Sequence, residues 1–355
     1  SISLEAVCDS FSSLLWDIEY YKCGAFKVYI AASPRNIEIF QTGRIVGRDD
    51  DREHFGLIES VELETDAEDG DYLIIKGRFL MCLLERRIIY PTFNFTKFVS
   101  YSQIVMNVVQ YNACTTGIRK LPGLVVGCSS GTCWNAETKL QVSYDNLMEW
   151  VYTICEKIGG TANIRLSKTD NEQYEMIFEL LQGTDRSILQ EVNPHIIFSD
   201  RYNNLLSFTY FMDTSVKKNY AYVLGKGEGE KRKRTTYFEG TEPSSLDRYE
   251  MYVDAKDILD EEQENGKTKP LSEEEYSELL KEKGKQNLVP ITMKSESQIA
   301  VQSTQFQYGV DYFVGDFVTA EHHRFGIRQN KIQLVGMIES FDRNGRNLTP
   351  TFKEV

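Results

Sequence analysis

Gly56-Leu57-Ile58-Glu59-Ser60 and Gly336-Met337-Ile338-Glu339-Ser340 read almost alike near opposite ends of a 355-residue chain. A glycine-led apolar entry precedes each, Gly43-Arg44-Ile45-Val46 and Gly315-Asp316-Phe317-Val318, and a polar turn with Asp and Gly follows. A strand-turn unit that occurs twice implies two copies of one small β-domain. Duplicated β-modules without a catalytic cluster point to an assembly part before an enzyme.

The surrounding sequence supports strands. Trp16, Ile18 and Tyr20, then Phe26, Val28 and Ile30, alternate with polar residues about Lys22-Cys23-Gly24, the pattern of a β-hairpin. Strands are predicted at Ile37 to Phe40, Arg44 to Val46, Phe55 to Glu64 and Tyr72 to Lys76, with Glu68-Asp69-Gly70-Asp71 as a hairpin turn. A short apolar helix follows around Phe79 to Glu85. From Ser100 the period becomes helical: Ile104, Val105, Val108 and Val109 share a face, as do Leu147, Val151, Ile154 and Ile158, with Asp145 as N-cap and Gly159-Gly160 as the stop. Strand-like runs Asn163 to Ser167 and Tyr174 to Leu181 are separated by Asp170-Asn171. Strands resume at His195 to Ser199, Leu205 to Met212, Tyr220 to Leu224, Thr235 to Phe238 and Tyr249 to Val253. Asp257 to Lys269 reads as a charged loop, and Ser272 with Glu275 makes a capping box for a helix ending at Gly284.

Composition narrows the function. The 41% hydrophobic residues can fill several cores, and 20 Tyr with 19 Phe favour strands. No stretch approaches the roughly 20 apolar residues of a membrane helix, and SISLEAVCDS lacks the pattern of a signal peptide, so folding in a cytoplasm with mostly free thiols is expected. The formal net charge is -13. A surface that grips nucleic acid needs clustered Lys and Arg, so DNA binding is disfavoured, whereas DNA passing an acidic wall without sticking is compatible. Residues 241 to 285 hold 14 acids and 7 bases, which reads as a solvated excursion.

The search for chemistry is thin. In the run from Gly225 through Gly227 and Gly229 to Arg234 the glycines end in Glu-Lys-Arg and a strand follows, unlike a phosphate loop, which ends in Gly-Lys-Ser/Thr and opens a helix. It reads as a basic hairpin tip. Cys128 and Cys133, with Cys114 upstream, lack zinc-ligand spacing, and the adjacent His322 and His323 in an extended chain point apart. No metal or cofactor is expected. Glu59 and Glu339 are tempting as a carboxylate pair, but equivalent places in a repeat favour a shared structural role. Tyr308-Gly309-Val310-Asp311-Tyr312 with Gly315-Asp316 is a well-punctuated turn.

An ordered set of motifs resembles the tail-hub, or tail-associated baseplate, proteins of siphophages and prophages. It comprises Gly56-Leu57-Ile58-Glu59-Ser60, Gly77-Arg78 followed by Leu83 through Arg87 to Ile89, Tyr222 to Gly229 including Gly227, Tyr308-Gly309-Val310-Asp311-Tyr312, Gly315-Asp316, and Pro350-Thr351-Phe352; Gly336, Ile338 and Glu339 carry the repeat. The resemblance implies an α+β, mostly β fold with two related small antiparallel β-barrels, an inserted α/β domain and a charged helical excursion. The expected division is 1–99 for the first barrel, with about 194–215 as its candidate completion, 100–193 for the α/β insertion, and 216–355 for the second barrel with an acidic helical insertion at about 241–288.

The resemblance further implies a non-enzymatic adaptor at the phage tail tip, assembled in the host cytoplasm. Such a hub forms a homotrimeric ring whose barrels alternate, contacts the tail tube or distal tail protein on one side and a tip fibre, spike or receptor-binding protein on the other, and surrounds the DNA exit channel. Some relatives carry C-terminal hydrolase or receptor-binding extensions; with the chain stopping soon after Pro350-Thr351-Phe352, an enzyme at that usual location is not expected. The competing readings are a cell-wall hydrolase using Glu59 and Glu339 and a carbohydrate- or receptor-binding module. Trp16, Trp134 and Trp150 occupy different settings and form no obvious stacking platform.

Overall fold

The computed structural model describes residues 2–66, 70–115, 117–170, 173–264, 267–289, 292–299 and 305–354. The expected turn residues Glu68, Asp69 and Asn171 lie outside them. The chain is mostly β, in several sheets.

β1 (Ser13–Glu19) and β2 (Ala25–Ala31) form the first hairpin, and alternation along β1 buries Leu14, Trp16 and Ile18 while Leu15 faces outward. The strand expected at Ile37 to Phe40 is instead helix α1 (Pro34–Ile39). The Ser33 hydroxyl caps it by accepting from the Asn36 amide at 3.1 Å, and Pro34 supplies the fixed φ of a first helical turn. β3 (Ile45–Gly47), β4 (Phe55–Asp66) and β5 (Gly70–Phe79) complete this module. The Phe26 ring sits against Gly56 and Gly77, where an added Cβ would lie 2.3 and 2.8 Å from it.

The apolar turn Leu80–Arg86 is a 3-10 helix. It packs into the core of the next layer: β6 (Phe93–Ser100), α2 (Tyr101–Val109), β7 (Leu124–Ser129), β8 (Glu137–Val142), α3 (Leu147–Ile158), β9 (Thr161–Lys168) and β10 (Tyr174–Leu181). The α3 cap is Asn146, not Asp145: its Oδ1 accepts from the amides of Met148 and Glu149. Gly159 ends the helix at φ +75°.

β11 (Ile197–Ser199) and β12 (Leu205–Asp213) precede a peripheral unit of β13 (Tyr220–Leu224), β14 (Arg234–Phe238), β15 (Glu250–Asp254), the hairpin β16 (Glu261–Glu264) with β17 (Lys267–Pro270), and α4 (Glu273–Asn287). The charged stretch read as a loop thus contains a hairpin, formed by pairing from Glu261↔Pro270 to Glu264↔Lys267. The capping box of Ser272 and Glu275 is present, but α4 runs past Gly284. That glycine is buried in the helix because Val223 Cγ2 and Tyr237 Cβ stand 2.7 and 2.9 Å from where a Cβ would be. The last strands are β18 (Thr292–Ile299), β19 (Phe317–His322), β20 (Ile327–Asp342) and β21 (Gly345–Glu354).

One 11-stranded sheet carries both duplicated units, in the order β12-β18-β21-β20-β1-β2-β5-β4-β3, with β19 also on β20 and β11 on β19. The first module is therefore β1-β2-β5-β4-β3 and the second β12-β18-β21-β20-β19: the same strand order, with the peripheral unit inserted between the first two strands of the second copy. Registers match residue by residue. Ser60 to Asp66 pair with Lys76 to Gly70 as Gly336 to Asp342 pair with Thr351 to Gly345, and each strand has its register shift just before, between Ile58 and Ser60 and between Leu334 and Gly336. The entries match as well: Gly43 N donates to Ile58 O and Ile58 N to Arg44 O, as Gly315 N does to Leu334 O and Leu334 N to Asp316 O. Gly43 and Gly315 have φ of +88° and +101°, a conformation glycine adopts at little cost.

This register corrects the sequence alignment by four residues. Glu59 occupies the bulge position of Val335, and Leu63 occupies the position of Glu339. The two Ile-Glu-Ser runs lie on corresponding strands without being corresponding residues. The barrels, too, differ from expectation: no sheet closes by ladder hydrogen bonds among the described residues. The first module curls until the loop after β3 returns to β1, and side chains span the gap.

Candidate functional site: the seam between the modules

β1 of the first module pairs antiparallel with β20 of the second, from Leu14↔Phe341 through Trp16↔Glu339 to Glu19↔Gly336. The loop after β3 closes over this seam. Trp16 Nε1 donates to Asp51 Oδ2 at 2.9 Å, and His54 Nδ1 lies 2.9 Å from the same oxygen.

Glu339 is 2% exposed. Arg346 Nη2 donates to its carboxylate at 2.5 Å and Arg48 Nη2 at 3.3 Å, while Arg48 Nη1 stands 3.2 Å away as an ion contact without hydrogen-bond alignment. Arg48 also forks onto Asp50, and its guanidinium lies 4.7 Å from the Phe341 ring centre and 5.7 Å from that of Trp16. One buried acid is thus held by two arginines from the two modules. Burial works against the Arg48 charge, yet the Asp50 and Glu339 carboxylates outweigh it and raise its pKa. Burial also opposes the Asp51 charge, but the hydrogen bonds from His54, the Glu53 amide and Trp16, with the attraction of His54, outweigh it and hold this carboxyl at about 2.

A second joint ties the middle layer to the sheet. Asp316, 3% exposed, accepts from Thr184 N at 2.7 Å, Arg186 Nε at 2.9 Å and Phe313 N at 3.1 Å. Tyr20 Oη accepts from Gly183 N and donates to Gly159 O. Tyr21 Oη donates to Gln333 Oε1 at 2.6 Å, and Gln333 Nε2 donates to Gly315 O at 3.0 Å.

The residues singled out in the sequence divide among these places. Glu339 and Ile338 lie on the seam strand, and Tyr308 reaches it through Arg346, whose guanidinium is 6.0 Å from its ring centre. Gly315, Asp316 and Gly336 belong to or adjoin the second joint. Gly309 at φ +84° and Asp311, accepting from Gln307 N, close a local turn. Gly56, Ile58 and Gly77 serve the core of the first module. Arg78 clasps the partly exposed Glu59 and Glu85, and Arg87 donates to the carbonyls of Arg119 and Arg86. Gly227 and Gly229 shape the basic hairpin tip, where Arg232 folds back onto Leu224 O, Gly225 O and Asp254.

Glu59 and Glu339 are not brought into one network. A shallow depression of about 350 Å³ on the outward sheet face is lined by Glu59 as its sole acid, beside Leu15, Lys27, Lys76 and Arg78. Sequence reading missed Arg48, Asp51 and Arg346 because charged residues in polar turns look like solvated ones. The charge run Arg48-Asp49-Asp50-Asp51 follows β3, and nothing local in it points to Trp16, which lies on β1 some 30 residues earlier.

A family model described as Siphovirus ReqiPepy6 Gp37-like protein matches residues 1–352. Solved structures share the fold at low identity. A tail protein from Neisseria meningitidis MC58 is 13% identical with a TM-score of 0.57, over 97% of this chain and 92% of that one. The 43 kDa tail protein of prophage MuSo2 from Shewanella oneidensis is 12% identical with a TM-score of 0.56, over 98% and 95%. Prophage tail protein gp18 from Listeria monocytogenes EGD-e is 12% identical with a TM-score of 0.53, over 98% and 90%. No curated protein matches the chain.

Proposed function

The chain belongs to this siphovirus family of phage tail proteins, and from that premise we propose that it is the hub of the tail tip. Three copies form a ring in which first and second modules alternate, giving a six-fold tube six similar surfaces. The observation that carries this reading is the repeated strand order and register, joined head to tail by β1 and β20. On this reading each module is an open barrel whose gap is bridged by side chains, and the domains follow the division at 1–99, 100–193 and 216–355. Pairing of β11 with β19 and β12 with β18 supports adding residues 197–213 to the second module.

The ring contacts the tail tube or distal tail protein on one side and a fibre, spike or receptor-binding protein on the other. DNA leaves through its channel without specific binding, in keeping with the net charge of -13. The protein is a virion component assembled in the host cytoplasm; no helix among the described residues is long and apolar enough to cross a membrane. The reading as a structural, non-enzymatic part is supported by Glu59 and Glu339 each being neutralised by different arginines. Light-scattering mass, with images of the particles and pull-down of purified tube and distal tail protein, tests the hub. A trimeric ring that retains either partner is expected; a monomer at every concentration that binds neither overturns it.

A further inference from the structure

The seam inside the chain implies a second seam between chains. In the second module, β19 covers the first half of one edge of β20, and β1 covers the second half, Gly336 to Phe341. In the first module β3 covers the corresponding first half of β4, Phe55 to Leu57, but among the described residues no strand covers Ser60 to Asp66 on that side. The counterpart of β1 in the second module is β12, which among the described residues ends the sheet with only β18 beside it. One copy of a repeated contact is made within the chain, and both halves of the other are left open.

We propose that β12 of one copy pairs antiparallel with the Ser60–Thr65 stretch of β4 in a second copy, in the register of β1 on β20. This deepens the trimer-ring reading and rests on it. Alignment through the β2–β5 and β18–β21 ladders places Tyr210 at the position of Trp16. The pairing is then Phe208↔Thr65, Tyr210↔Leu63, Met212↔Val61 and Asp213↔Ser60. Leu63 stands where Glu339 is buried in the other module, yet it is 56% exposed while Glu339 is 2% exposed. An apolar residue on an uncovered strand edge calls for a neighbour. The occupant is a second copy because a repeat of this chain's own strand already fills the equivalent place. The contact is heterologous, so repetition runs on from copy to copy, as the proposed ring requires, rather than capping a dimer.

The register gives the test. Facing residues of an antiparallel pair have Cα atoms about 4.5–5.5 Å apart, within reach of a disulfide. The full-length chain carrying Cys128→Ser, which removes the exposed native thiol, is made with Leu63→Cys and Tyr210→Cys and oxidised. Peptide mapping is expected to find the 63–210 link between chains, with the ladder of species ending at three. Leu63→Cys with Thr209→Cys, one residue out of register, is expected to link about tenfold less. The variant Leu63→Lys changes an exposed side chain, so its circular dichroism, and its melting at a dilution where both proteins are monomeric, are expected to stay unchanged while trimer dissociation rises about tenfold, near 1.4 kcal/mol. A trimer that links both pairs equally, or that Leu63→Lys leaves intact, overturns the strand pairing while the ring reading stands. A chain that stays monomeric with and without its tail partners overturns both.

Discussion

Glu339 and Glu59 show how one residue type in one short motif acquires two different weights. Glu339 is sealed between Arg48 and Arg346, whereas Glu59 lies at the surface on Arg78. Removing one partner of a buried ionic cluster leaves uncompensated charge, at a cost of about 3 kcal/mol, while an exposed pair contributes less than about 1 kcal/mol. Glu339→Gln is therefore expected to lower the urea midpoint several times more than Glu59→Gln. Equal shifts would contradict the seam as described. Asp51 adds a pH dependence. Its folded carboxyl titrates near 2, below the ordinary 3.8, so its contribution is present above about 4 and is lost as pH falls through 2. Acid titration of Asp51→Asn is expected to lack that component, with the two proteins converging below pH 2.

Among the elements, α4 separates propensity from packing most sharply. Its start was legible, because Ser272 and Glu275 satisfy exposed amides by a local rule that needs no tertiary contact. Its end was not, since Gly284 reads as a stop but serves as a site of close approach to β13 and β14. Helix propensity alone would make Gly284→Ala stabilising by about 1 kcal/mol. The crowding by Val223 and Tyr237 reverses the sign, and a net loss of about 1 kcal/mol is expected in thermal unfolding. A rise in melting temperature would mean that the helix stands off the sheet. α1 failed for a related reason: Ile37, Ile39 and Phe40 looked like strand residues, but Ser33 and Pro34 committed the backbone first.

At the scale of the molecule, the described residues form four apolar cores, and polar joints tie the two modules and the middle layer together. Asp316 is one of them, receiving donors from the middle layer and from its own turn. Asp316→Ala leaves those donors unpaired and is expected to open Gln182–Ser187 to limited proteolysis while far-ultraviolet circular dichroism is kept. Unchanged protection would mean that the middle layer is held by its apolar contacts alone. The middle layer itself was largely readable from sequence, because α2 and α3 bury one continuous face each and the period of that face is local.

By itself the sequence determined the mostly β character, the two helices of the middle layer, the capping box, the basic hairpin and the occurrence of a repeat. All of these depend on neighbours a few residues apart, which alternation, period and turn chemistry encode directly. Only the tertiary structure decided the register of the repeat. A bulge changes which residue faces which without changing composition, so Glu59 came to match Val335 while Leu63 took the place of Glu339. The seam of Arg48, Asp51, Glu339 and Arg346 likewise joins residues far apart in the chain. Their burial is fixed by the curl of the sheet, and no local pattern distinguishes an arginine that will be buried from one that stays in water.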